Sequence, residues 1–204
     1  MFQPDAGKGM SEPVHPVLFA DFVCPFSHVT EAALRRWAEG TGARIQHRAY
    51  ELFPAPAELG PPPDIEALPE SFHELAAAEG LTLRTPSRRP RTRKAHEAAA
   101  FAEEKGRGAV MRAALFRAYF EHDRDLGRID VLVSCALESG LDETEVKVSL
   151  DIDRYTDRVV RESLDARRMG VQGTPALLLP GPARPTLVAG AQPYEEIERL
   201  LKDF

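Results

Sequence analysis

Asp21-Phe22-Val23-Cys24-Pro25-Phe26-Ser27-His28 decides how the rest of this chain is read. It closes an apolar run, Pro16 to Val23, that reads as a buried strand. It opens Thr30 to Glu39, whose Ala, Leu, Arg and Trp spacing predicts a helix. A cysteine at such a junction meets the free N–H groups and positive dipole end of the helix, which favour a negative sulfur. Proline directly after it suits the first helical position, where its missing N–H would have no partner anyway. These residues alone lead to the expectation of a reactive Cys24 with a lowered thiol pKa.

Working outward, Val17 to Val23 holds one polar residue, Asp21, and suits a central strand covered on both faces. Gly40 and Gly42 supply a stop for the helix. Ala43 to Phe53 alternates loosely and reads as a second strand, so the opening is most simply a right-handed parallel crossover. Pro54 to Pro63 breaks the pattern, and from Asp64 to about Gly170 the chain looks helical almost throughout. Met111, Leu115, Ala118 and Tyr119 share one helical face; Ile129, Leu132, Val133, Ala136 and Leu137 share another. Asp151 to Arg168 reads as one long polar helix with Val159, Val160 and Leu164 as its buried side. Strands return at Ala176 to Leu179 and Thr186 to Ala189, joined by a turn at Pro180 to Pro185. A terminal helix aligns Ile197, Leu200, Leu201 and Phe204.

The bulk properties narrow the function classes. The 204 residues suit one domain or a domain with a large insertion. A net charge of −6 makes nucleic acid a poor default partner. No apolar run approaches the roughly 18 residues of a membrane span. Met1 to Pro13 is polar and Gly-rich without an apolar segment, so it reads as a disordered lead-in and not as a secretory signal. The expected location is cytoplasmic. Cys24 and Cys135 lie 111 positions apart, which is neither a disulfide framework nor a zinc pattern. His15, His47, His73, His96 and His122 share no metal spacing, so no metal is expected.

The order strand-helix-strand, helical insert, strand-hairpin-strand, helix resembles the thioredoxin fold with the helical insertion of the DsbA superfamily. Two motifs carry the resemblance: Cys24-Pro25-Phe26-Ser27, similar to the Cys-Pro-aromatic-Cys site, and Gly170-Val-Gln-Gly-Thr-Pro175, similar to the loop that holds the family's cis-proline. Ala114 to Phe120 and Gly190 to Pro193 look like the FrnE-type branch. The resemblance implies an α/β thioredoxin-like domain, residues 14–63 and 170–204, with an all-helical insertion at 64–169. It implies Cys24 as attacking thiolate, faced by Pro175. Thr174 and Gly173 would offer their backbone to a bound thiol peptide, with Pro25, Phe26 and His28 completing the thiol-binding set.

Ser27 stands where dithiol members carry their second cysteine, so no active-site disulfide can form within this chain. Three readings stay open. Cys24 works as a monothiol oxidoreductase resolved by glutathione or another outside thiol. Or the protein is a glutathione-dependent transferase or isomerase, since kappa-class glutathione transferases and 2-hydroxychromene-2-carboxylate isomerases also resemble it through a Ser-Pro-Tyr-Ser motif. Ser27 agrees with their last serine, but Cys24 replaces their first, and Ala191-Gln192-Pro193 lacks their glutathione-holding acid. Or the fold is a binding scaffold without catalysis. The redox reading comes first. No tightly bound cofactor is expected, glutathione is a candidate cosubstrate, and a homodimer stays open.

Among the remaining candidates, His28 is by default an exposed surface histidine, with thiolate stabilisation as its functional alternative. Asp21 either caps the junction or relays a proton. Ser27 is a thiolate hydrogen-bond donor or a plain helix residue, and Phe26 a lid on the site wall. Cys135 reads as a small packing residue rather than a resolving thiol. Arg84 to Lys94 holds six basic residues and no acid, a solvated loop by default and an anion site by alternative.

Overall fold

The computed structural model describes residues 15–181 and 184–202. The expected lead-in, the middle of the Pro180 to Pro185 turn and Phe204 lie outside the described residues. A four-stranded sheet is built from β1 (Val17–Ala20), β2 (Gln46–Ala49), β3 (Ala176–Leu179) and β4 (Thr186–Ala189), in the order β2-β1-β3-β4. β1 pairs parallel with β2, Val17 opposite Gln46, and antiparallel with β3, Val17 opposite Leu178. The hairpin of β3 and β4 is antiparallel. Eight helices accompany it among the described residues: α1 (Pro25–Thr41), α2 (Glu70–Ala78), α3 (Arg93–Glu104), α4 (Gly108–Phe120), α5 (Ile129–Glu138), α6 (Glu143–Asp151), α7 (Thr156–Arg168) and α8 (Tyr194–Leu201). Helices α2 to α7 all fall between β2 and β3 in the chain, and the fold is the DsbA-like thioredoxin arrangement.

The two-residue period of a strand sends alternate side chains of β1 to opposite layers. Leu18 packs with Leu34, Trp37, Ile197 and Leu201, so α1 and α8 cover one face. Val17 and Phe19 pack with Tyr50, Ala166 and Val171, so α7 and its exit cover the other. β1 is therefore buried on both sides, as its apolar run requires. A third and larger core lies among the helices, around Met111, Leu115, Phe116, Tyr119, Leu132 and Ala136. Phe22, Val23 and Val29 reach into it from the β1–α1 junction, tying that junction to the helical layer.

Several boundaries differ from the sequence reading. The first helix starts at Pro25, not Thr30, and runs through Gly40 to a left-handed Gly42, φ 71°, whose N–H closes on the Ala38 carbonyl. Residues 61–69 and 80–92 are largely irregular, so the helical stretch is broken early. The long helix read from Asp151 to Arg168 begins only at Thr156, after a turn that ends α6 at Asp151. Asp153 takes a left-handed φ of 56°, and the Arg154 N–H turns back to the Ser149 carbonyl. That is a helix-ending turn, held by Lys94 on the Leu150 carbonyl and the Asp153 carboxylate. The buried face of α7 is accordingly Val159, Ser163 and Ala166, while Leu164 points outward. Leu137, placed on the apolar stripe of α5 by spacing, is also exposed.

The free edge of β2 is occupied by side chains of α7. Glu162 accepts the Ala49 N–H at 2.8 Å, Ser163 accepts the Glu51 N–H at 3.1 Å, and Arg167 donates to the Glu51 carbonyl at 2.6 Å. These bonds satisfy backbone groups that an open edge would leave unpaired.

Candidate functional site

Cys24 is the N-cap of α1, in extended backbone at φ −98° and ψ 114°, with Pro25 in the first turn. The turn before it is closed by the Cys24 N–H on the Asp21 carbonyl at 3.1 Å. After it, the N–H groups of Ser27 and His28 both point to the Cys24 carbonyl, at 3.1 and 3.3 Å. The Cys24 Sγ donates to the Thr174 carbonyl at 3.2 Å, across 150 residues of chain. Thr174–Pro175 is a cis peptide, and β3 starts at the next residue. The structure thus brings together Cys24, Pro25, Ser27, Thr174 and Pro175. Gly173 and Thr174 are half-buried, and the Thr174 Oγ1 has no hydrogen-bond partner.

The thiol does not match the expectation of a lowered pKa. Cys24 is 6% exposed, and burial pushes the thiol up from its ordinary value. The neighbouring side chains of Ser27 and Thr174 and the Ser27 backbone pull the other way, and the nearby charge of Asp21 raises it further. The position at the start of a helix was legible in the sequence. The burial of the sulfur against the Thr174 loop was not, and desolvation outweighs the favourable partners.

Ser27 is completely buried, and its Oγ accepts the Asp21 N–H at 3.4 Å. His28 is not a surface residue. It is 4% exposed, stacked on Phe116 at 4.9 Å and 4° and near Phe120 at 5.7 Å. Burial lowers its pKa to about 4, so the ring is neutral near pH 7 and packs as an aromatic. Phe26 is half-buried and meets Phe72 of α2 edge-on at 4.9 Å. Asp21 is fully buried; its Oδ2 accepts the Leu52 N–H at 2.7 Å, fastening the start of the proline-rich loop.

Cys135 lies in the middle of α5, fully buried in the helical core, 3.9 Å from the Ala114 carbonyl. Burial raises its thiol to about 11. The basic run is a solvated loop only in part: Arg84 and Arg88 are exposed, the rest are engaged. Arg91 donates to the carbonyls of Phe53 and Ala57 at 2.7 and 2.6 Å. Arg89 donates to the Leu59 carbonyl at 2.7 Å and lies over the Phe53 ring, and Arg93 pairs with buried Glu51. Arg89 and Arg91 thus hold the proline-rich loop, whose prolines leave carbonyls without matching N–H donors, while Arg84 and Arg88 stay exposed.

A buried ion cluster escaped the sequence reading. Glu31 of α1 meets His47 Nε2 at 2.7 Å and Arg112 Nε at 2.8 Å, and Arg112 continues to Glu103 at 2.7 Å. Burial alone would raise the Glu31 carboxyl, but His47 and Arg112 hold it well below the carboxylate range. The available signal was an acid inside the apolar run Val29 to Leu34 and an arginine inside Met111 to Leu115. This cluster opens on a groove of about 830 Å³ lined by His47, Arg44 and Arg35, which does not include Cys24. No grouping of His, Cys, Asp and Glu among the described residues could hold a metal ion, and no helix there is long and apolar enough to cross a membrane.

A buried cysteine capping the helix after a central strand, opposite a cis-proline loop, on a sheet with an inserted helical layer, defines a thioredoxin-fold protein of the DsbA type. The chain belongs to the family described as DSBA-like thioredoxin domain, whose model matches residues 17–202. It is 29% identical to the uncharacterized protein YwbO of Bacillus subtilis over 198 residues, covering 93% of this chain and 96% of that one. Among solved structures it is similar to a probable DsbA oxidoreductase from Streptomyces coelicolor, at 26% identity, TM-score 0.74 and coverage of 92% and 88%. The same fold is seen in a 2-hydroxychromene-2-carboxylate isomerase, at 17% identity, TM-score 0.72 and 92% coverage of both chains. It is also seen in the cytosolic disulfide reductase DsbM of Pseudomonas aeruginosa, at 18% identity, TM-score 0.69 and 93% coverage of both.

Proposed function

We propose that this protein is a thiol–disulfide oxidoreductase that works with one cysteine. The observation that carries the reading is the Cys24 Sγ, at the start of α1, hydrogen-bonded to the Thr174 carbonyl of the cis-proline loop while Ser27 fills the second thiol position. Cys24 loses its proton and attacks one sulfur of a disulfide. A Cys24–S bond forms, the original S–S bond breaks, and the leaving sulfur departs as thiolate and is protonated. A second thiol, glutathione or another outside thiol, then attacks the mixed disulfide, releases Cys24 and carries the oxidising equivalent away. A DsbM structure contains glutathione, which supports glutathione as the outside thiol. The same neighbour supports a cytoplasmic location.

Burial of the thiol fits a site that rests protonated and ionises once a partner docks. An incoming chain that pairs with the Thr174 backbone removes the carbonyl on which the S–H rests. The test is intact-mass measurement after incubation with oxidised glutathione. A single glutathione adduct is expected on Cys24, absent in Cys24→Ala, retained in Cys135→Ala and removed by excess thiol. No adduct would move the protein to a binding scaffold. The isomerase-like alternative shares the fold and the buried Ser27. It predicts glutathione-dependent turnover of a small molecule that survives Cys24→Ala.

A further inference from the structure

Asp21 sits in the turn that carries the thiol: its carbonyl takes the Cys24 N–H and its N–H goes to Ser27. One carboxylate oxygen is satisfied by Leu52, but Oδ1 is buried without a hydrogen-bond partner. The polar atom it faces is His96 Nε2, 3.5 Å away on α3, also buried and also without a hydrogen bond. The His96 ring is held in place by Phe22, centroids 4.8 Å apart. A fully buried carboxylate with an unsatisfied oxygen is costly unless a positive charge compensates it. The two atoms thus meet each other at ion-pair distance and have no hydrogen bond to any other group, in the turn that leads to Cys24.

Resting on the thiol-exchange reading, we propose that His96 is a positioning residue for Cys24: its ring partners the Asp21 carboxylate in the turn that carries the sulfur, so that the inserted helices govern how readily the thiolate forms. The sign follows from the placement. An uncompensated Asp21 anion opposes a second negative charge on Cys24, and a compensated one does not. The other charged groups facing this pair are on the cavity of about 40 Å³ that His96 shares with His47, Arg48, Glu103, Arg112, Arg158 and Glu162. Arg112 is paired with Glu103, Arg158 with Glu162, and His47 with Glu31. Arg48 is the remaining cation there. On the other side, Tyr119 of α4 feels the Asp21 charge.

The experiment follows the ultraviolet absorbance of the thiolate against pH, with the Cys24 step identified as the one lost in Cys24→Ser. His96→Gln is expected to raise that step by roughly one pH unit and Asp21→Asn to lower it by a similar amount. In the Asp21→Asn background, His96→Gln should move it little, because the charge that His96 partners is gone. His96→Lys, which keeps a cation beside Asp21, should hold the step at or below the wild-type position. Equal shifts from His96→Gln in both backgrounds, or a rise with His96→Lys as large as with His96→Gln, would overturn the proposal. The titration needs no disulfide substrate. A chain that shows this coupling yet forms no mixed disulfide sinks the exchange reading alone, and the reverse result sinks the His96 role alone.

Discussion

The two cysteines of this chain are both buried, both pushed up in pKa and both directed at a backbone carbonyl, yet their neighbourhoods are of opposite kinds. Cys24 stands at a helix start with polar groups on several sides: Ser27, the Thr174 carbonyl and Asp21. Cys135 stands mid-helix among Met111, Leu115, Leu132 and Ala136. Burial therefore does not separate the thiol proposed to react from the one that packs. What separates them is whether the groups around the sulfur can accept a change of its charge or bonding partner.

That contrast can be sharpened first by changing the partner. Ser27→Cys puts a second thiol one helical turn from Cys24. Oxidised glutathione is then expected to give an internal disulfide instead of a stable adduct, a complete switch visible by mass and by loss of free thiol. A lasting glutathione adduct in that variant would show that the two positions cannot meet.

The next effect concerns the ring beneath the site. A histidine held near 4 when folded, against 6.5 free, takes up protons on unfolding between those values. The unfolded state then binds more protons, so this contribution is fully present above about 6.5 and is lost as pH falls toward 4. The loss is about 3 kcal/mol across the window. In His28→Phe this part of the pH dependence of denaturant midpoints should disappear, whatever the variant's absolute stability. A slope unchanged from wild type would mean His28 is not buried as a neutral ring.

The smallest difference is in serine replacement. Cys135→Ser places a hydroxyl in an apolar shell and should cost about 1–3 kcal/mol. Cys24→Ser keeps a donor for Thr174 at a position where serine is a good helix cap, and should stay within about 0.5 kcal/mol of wild type. Equal losses in urea unfolding would remove the distinction between the two environments.

The site's frame was legible because it is local. A strand, a Cys-Pro step and a helix follow one another directly in the chain, and the Gly173-Thr174-Pro175 loop announces itself by composition. That the Thr174 carbonyl faces the sulfur and that His96 meets Asp21 was not legible, since these groups come together only through the sheet and the inserted helices. His28 was misplaced for the same reason: nothing near it in sequence shows that Phe116 and Phe120 cover it. The basic run shows the reverse error. Six positive charges in sequence look solvated, but the N–H forks of two of them, Arg89 and Arg91, suit lone carbonyls that a proline-rich loop supplies. Glu31 and Arg112 were passed over because a charge inside an apolar face is a fault in the pattern until its partner, 81 residues away, is known.

The burial of Cys24 against the Thr174 loop has a further consequence, for chemical durability. Peroxides react with thiolates far more than with thiols, so a sulfur kept protonated and shielded is spared stepwise oxidation to sulfinic and sulfonic acids. A monothiol protein needs that protection more than a dithiol one, because it has no neighbouring sulfur to intercept a sulfenic acid. Wild-type protein should therefore outlast a variant with an opened Thr174 loop under peroxide. In this fold, latency would serve as preservation.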